Sequence, residues 1–147
     1  MTSKFFLFSL VMIFSCSFNA RAEPSKDGIE TISINAARFW LIGCNSAQVA
    51  IDRINRGEDK DKSLTDEYNK MKNSIDDALV NNNSSEEAKY FAEGVSRKYS
   101  FDGYKFKVYN QNKNCIASSK VVEGRVTMAL NGDKEAQDAL KGSDYAK

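Results

Sequence analysis

From Ile32 onward the apolar residues fall into stripes with a helical period. Ala37, Trp40, Cys44, Ala47, Ile51 and Ile54 are spaced three and four apart, with Arg38, Gln48 and Arg53 elsewhere on the circumference. That spacing puts one apolar face on an amphipathic helix. Phe39, Leu41, Ile42 and Val49 widen the face, so this helix is expected to be the most buried, and Gly57 is expected to end it. The charged run 57–62 reads as a solvated loop. Ser63 with Asp66 then has the form of an N-terminal capping box, and Leu64, Tyr68, Met71, Ile75 and Leu79 mark a second helix. Asn81-Asn82-Asn83 stops it. Ser84 with Glu87 is a second capping box, and Ala88, Phe91, Val95 and Tyr99 carry the stripe of a third helix.

Around residue 100 the period changes. Tyr99-Ser100-Phe101 and Tyr104-Lys105-Phe106-Lys107-Val108 alternate about Asp102-Gly103, which is a short-range hairpin signal. A small β-hairpin is expected over 99–108, followed by a polar loop at 110–114. Residues 116–130 fit a helix with Ser119, Val122, Val126 and Ala129 on one face, in preference to two short strands about Glu123-Gly124. Asn131-Gly132 stops that helix. Asp133 caps a last short one with Ala136, Ala139 and Leu140 inward, ending at Gly142. The fold class is therefore mainly α: four to five helices, a short hairpin near 99–108 and one disulfide, with α+β as the alternative.

The N-terminus changes the picture. Lys4, the apolar run Phe5 to Ser15 and Ala20-Arg21-Ala22 follow the order of a secretory signal peptide with an A-x-A cleavage site. The run is too short for a bilayer span, which needs about 20 residues. The expected organisation is a signal peptide over 1–22, a flexible arm over 23–31, one globular helical domain over 32–142 and a frayed tail over 143–147. Ile13-Phe14-Ser15-Cys16 also resembles a lipobox, in which Cys16 would be lipidated, although Phe14 is bulky for that motif. Without the leader, which holds Lys4 and Arg21, 19 basic side chains face 20 acidic ones. A net charge of −1 with interspersed signs carries no footprint for nucleic acid.

Cys44 and Cys115 survive leader removal, and an even count outside the cytoplasm implies one bridge. Closing a loop of about seventy residues is worth about 4 kcal/mol in the chain-entropy model. The chain has no His. Ser-His-Asp and Cys-His sites are thereby excluded, and two isolated cysteines cannot make a zinc cage. No metal and no cofactor is expected. Carboxylate chemistry remains, from Asp76-Asp77, Glu86-Glu87 and Glu58/Asp59/Asp61, but those clusters sit at helix starts, in a loop or on a polar face, where capping and solvation account for them.

The aromatic–lysine run is the most suggestive patch, and Tyr104, Lys105, Lys107 and Tyr109 are the candidate partner-binding residues. One stretch resembles a known family. Ala129-Leu-Asn-Gly132-Asp133-Lys-Glu-Ala136-Gln137-Asp-Ala-Leu140 is similar to the A-x-x-G-D-x-x-A-Q-x-x-L stretch of Sel-like repeats, a tetratricopeptide-type family. Lys141 stands where that family usually has Gly, and no second copy follows. A solenoid needs several stacked repeats, so the stretch is read as a helix-turn-helix. The functional expectation is a secreted or periplasmic domain that binds another protein, as an inhibitor or immunity protein against an extracytoplasmic hydrolase or toxin. An envelope lipoprotein anchored at Cys16 is the alternative, and a carboxylate hydrolase comes third.

Overall fold

The computed structural model of the chain describes residues 25–80 and 86–141. The signal peptide, Cys16, the Ser84–Glu87 box and the tail 143–147 lie outside the described residues or their described side chains. Five helices and no strand occur among the described residues: α1 Lys26–Asn55, α2 Lys60–Val80, α3 Glu86–Tyr109, α4 Cys115–Leu130 and α5 Lys134–Ala139. The mainly α expectation holds, and residues 116–130 are helical. None of these helices is long and apolar enough to cross a membrane.

The central helix starts earlier than the stripe from Ile32 suggests. Ser25 is its N-cap, accepting from the Gly28 N–H, and Asp27 sits in the first turn where the helix dipole favours an anion. Residues 26–31 are thus helix and not an arm, because Ile29 and Ile32 carry the buried face two turns further and join the main core. At its other end Gly57 takes φ +91°, a conformation that side chains resist, and closes the helix as expected.

α2 is capped one turn ahead of the expected box. The Asp59 carboxylate accepts from the Lys62 N–H at 2.7 Å, and Ser63 already donates its own N–H to the Asp59 carbonyl. Ser63 is therefore inside the helix, fully buried. α4 is capped by Asn114 and α5 by Asp133, each accepting from the N–H three residues on. Gly132 (φ +94°) makes the turn between them, and Gln137 Nε2 donates to the Ala129 carbonyl. The Sel-like stretch is thus one helix-turn-helix, as read.

The hairpin expected over 99–108 does not form: α3 runs through it. Buried Val95, Ser96, Tyr99, Ser100, Gly103, Tyr104, Phe106 and Lys107 recur every three to four residues, so the alternation of aromatics and lysines is a short window on a helical period. Gly103 is needed for closeness. A Cβ built there would stand 2.2 Å from the Trp40 carbonyl oxygen, and one at Gly43 would stand 1.8 Å from that of Ser100. α1 and α3 therefore cross backbone against backbone, which no side chain at either position would allow.

α1 is the hub, touching α2, α3 and α4. The main core gathers on Trp40, with Tyr99, Phe106, Val122, Val126 and Leu130. The Trp40 indole N–H donates to Ser118 Oγ at 2.9 Å, so its one polar atom is satisfied in the interior. A second cluster, Ala47, Met71, Ile75 and Tyr104, holds α2 against α1 and α3. Cys44 and Cys115 form the expected disulfide, pinning the middle of α1 to the first residue of α4 across 71 residues of chain.

Candidate interaction surface

The four candidate residues lie on the last two turns of α3, and the helix sends them in different directions. Tyr104 points inward. It is 6% exposed, and its hydroxyl donates to the Leu64 carbonyl on α2 at 2.6 Å. Burial and the nearby Glu67 carboxylate push its phenol up to about 12. Lys107 is also buried. Its ammonium donates to the Gln111 and Lys113 carbonyls at 2.6 and 2.8 Å, holding the loop that delivers Cys115 to the disulfide. Lys107 is thus a structural clamp rather than a contact for a partner.

Lys105 and Tyr109 face outward. Lys105 Nζ stands 5.3 Å from the Phe101 ring centroid, a cation–π distance. Tyr109 is 78% exposed at the end of α3. Together with Tyr68, Phe101 and the rim of Tyr104 they line a groove of about 300 Å³ along the seam of α2 and α3. The aromatic rings brace one another: Tyr68 meets Tyr104 and Phe101 edge to face, with centroids 5.4 and 6.0 Å apart. A second hollow of about 80 Å³ shares Tyr68 and Phe101 and extends the seam to Lys72, Asp76 and Arg97. Of the ionisable side chains lining the two hollows, Lys72, Arg97 and Lys105 are cationic, and Asp76 is ion-paired with both Lys72 and Arg97. The seam is aromatic and net positive.

Reading 99–108 as a hairpin brought Tyr104, Lys105, Lys107 and Tyr109 together for the wrong reason and missed Tyr68 on α2. A helical period does find the groove, because Phe101, Lys105 and Val108 share one side of α3.

Of the acidic clusters, Glu58 and Asp76 are ion-paired, Asp59 caps α2, and the Glu86 and Glu87 side chains lie outside the described ones. Arg53 binds Glu58 at 2.7 Å, Glu67 at 2.8 Å and Asp66 at 3.3 Å, joining the end of α1 to the start of α2. The hydrogen bond from Lys70, then that from Arg53, holds the Glu67 carboxyl below its usual range against its desolvation. Asp76 is lowered by Lys72 and Arg97, and Asp138 by Lys141 and Lys134. These shifts favour the charged carboxylate, the opposite of what a general acid for glycoside cleavage needs. The chain matches no family model, no curated protein and no solved structure.

Proposed function

We propose that this chain is a small extracytoplasmic domain that binds another protein, acting as an inhibitor or immunity protein against a hydrolase or toxin outside the cytoplasm. The observation that carries the reading is the aromatic, net-positive seam of α2 and α3, with Tyr109 exposed at its end. Rigid aromatic side chains with a flanking cation are the usual anchors of protein interfaces. Their edge-to-face bracing gives the seam a fixed shape in advance, which lowers the ordering cost of binding. The secretory leader expected over 1–22 and the Cys44–Cys115 disulfide support work in an oxidising compartment.

The test is titration of the oxidised chain into extracytoplasmic extract of its source organism, with hydrolase activities followed one by one. One activity should fall to zero at a stoichiometric ratio and recover when Tyr109→Ala and Lys105→Glu are introduced together. If no activity falls, or the double variant inhibits as well as the parent chain, the proposal fails.

A further inference from the structure

A hollow of about 570 Å³ lies where the first turns of α1 meet the C-terminal half of α4. Small-molecule sites span about 300–1,000 Å³, so it has the size of one. The two helices run antiparallel: Ser33 meets Thr127, Trp40 meets Ser118 and Cys44 meets Cys115. Ile29 gives the hollow an apolar wall. Its polar walls mainly accept hydrogen bonds. The Ser33 hydroxyl donates to the Ile29 carbonyl, and the Thr127 hydroxyl has Ser33 Oγ and the Glu123 carbonyl as its acceptors. Asn131 Nδ2 donates to the Thr127 carbonyl, which leaves its amide oxygen as an acceptor. The Glu30 and Glu123 side chains complete the lining, both exposed, and among the described residues neither carboxylate is ion-paired or hydrogen-bonded. Lys26 stands one turn before Glu30, and one lysine against two glutamates leaves the lining net negative.

The two carboxylates are set apart along the hollow. Ser33 and Thr127 are level with each other. Glu30 lies three residues before that level on α1, and Glu123 four residues before it on α4. Because the helices run in opposite directions the offsets add, giving seven residues' rise, or about 10 Å along the axis. No group of three metal-ligating side chains occurs among the described residues, so the pair does not make a metal cage. We infer that this hollow binds a linear aliphatic polyamine, with one ammonium on Glu30, another on Glu123 and the methylene chain between them along Ile29. Acceptor walls call for a donor, two separated carboxylates call for two cations, and the apolar wall calls for a hydrocarbon spacer. Lys26 competes with the ligand for Glu30. No residue of this hollow lines the α2–α3 seam, so the site stands independently of the function proposed for that seam.

Equilibrium dialysis of the oxidised chain against spermidine tests this, at about 0.01 M ionic strength, where screening is weak. One equivalent should bind with a Kd of about 100 μM, since exposed ion pairs each contribute modestly. Glu30→Gln and Glu123→Gln should each weaken binding about fivefold, and Lys26→Ala should tighten it about threefold by removing the competitor. The thermal midpoints of the three unliganded variants should match that of the parent chain, because all three side chains are exposed. Butylamine, with a single ammonium, should bind about tenfold more weakly than spermidine. The absence of saturable uptake up to about 10 mM spermidine overturns the inference. So does an affinity unchanged in both glutamine variants, or butylamine binding as tightly as spermidine. Displacement of spermidine by an equal concentration of Mg²⁺ would show diffuse charge attraction in place of a site, and overturns it as well.

Discussion

Replacing Gly103 by Ala tests the architecture at its tightest point. In an exposed helix the change would stabilise, because Ala has the better helix propensity by about 1 kcal/mol. Gly124 offers that case: it is exposed within α4, and an added Cβ meets nothing within 4 Å. At Gly103 the Cβ would stand 2.2 Å from the Trp40 carbonyl oxygen, 2.9 Å from its carbon and 3.0 Å from its Cα. These are backbone atoms and cannot swing aside. Relief requires α1 and α3 to part by about 1 Å, and a gap of that size forfeits a quarter to a half of the dispersion energy of the contacts it opens. The contacts at risk include Trp40 against Phe106, whose ring centroids are 5.2 Å apart. Overpacking of this kind costs about 1–3 kcal/mol and sometimes more. With the crossing built from backbone on both sides, the upper end applies, and about 2 kcal/mol of net destabilisation remains after the propensity gain.

Urea unfolding followed by fluorescence is the assay, since Trp40 is the chain's one tryptophan and lies at the crossing. Gly103→Ala should lower the midpoint and Gly124→Ala should raise it, while far-UV circular dichroism stays helical in both. Gly43→Ala, with 1.8 Å to the Ser100 oxygen, should be at least as damaging as Gly103→Ala. If Gly103→Ala is as stable as the parent chain, or more so, the two backbones do not meet there and the account of α3 is wrong.

Three other substitutions separate local readings. Ser63→Ala should leave stability unchanged or raise it by up to about 1 kcal/mol in a urea melt, because the buried Ser63 hydroxyl has no hydrogen-bond partner; a loss of about 1 kcal/mol would restore it as the cap of α2. Lys107→Ala should cost about 1–3 kcal/mol by orphaning the Gln111 and Lys113 carbonyls, whereas Lys105→Ala should stay within about 0.5 kcal/mol, both read from urea midpoints. The Glu67 carboxyl is lowered in the folded state, so its contribution is present above the unfolded carboxylate value of about 4.3 and is lost as pH falls through the folded one. The thermal midpoint of Glu67→Gln should accordingly fall less steeply than that of the parent chain between about pH 5 and about pH 3.

The large residues of this fold were legible and the small ones were not. Trp40, Cys44, Ala47 and Ile51 announced α1 through their period alone, and the two cysteines fixed the only bridge they could form. Pro24 and Gly28 around Ile29 favour a loop by composition, although Ser25 followed by Asp27 has the form of a cap and first turn. Gly103 misled most. A glycine after Asp is a turn residue when its φ is positive and a packing residue when another backbone lies against it. The residue itself does not distinguish the two; only the partner helix does, and here that partner lies some sixty positions earlier, in Trp40 and Gly43.

The same ambiguity decides which side chains of 99–108 face outward. With 99–108 read as strands, Tyr104 and Lys107 fell on opposite faces of a ribbon and both counted as available. Wound into a helix, they turn toward α2 and toward the 110–114 loop, and each spends its polar end on backbone carbonyls. What is left outward is Lys105, Tyr109 and the edge of Phe101. On α4 it is the surface residues that the sequence leaves ambiguous. Its core stripe was readable from Ser119, Val122, Val126 and Ala129, but an apolar residue outside the stripe was indistinguishable from padding until the neighbours of α4 were known. α1 and α5 account for one side of the helix, and only that packing separates its buried residues from the exposed Ala117, Val121, Gly124 and Met128.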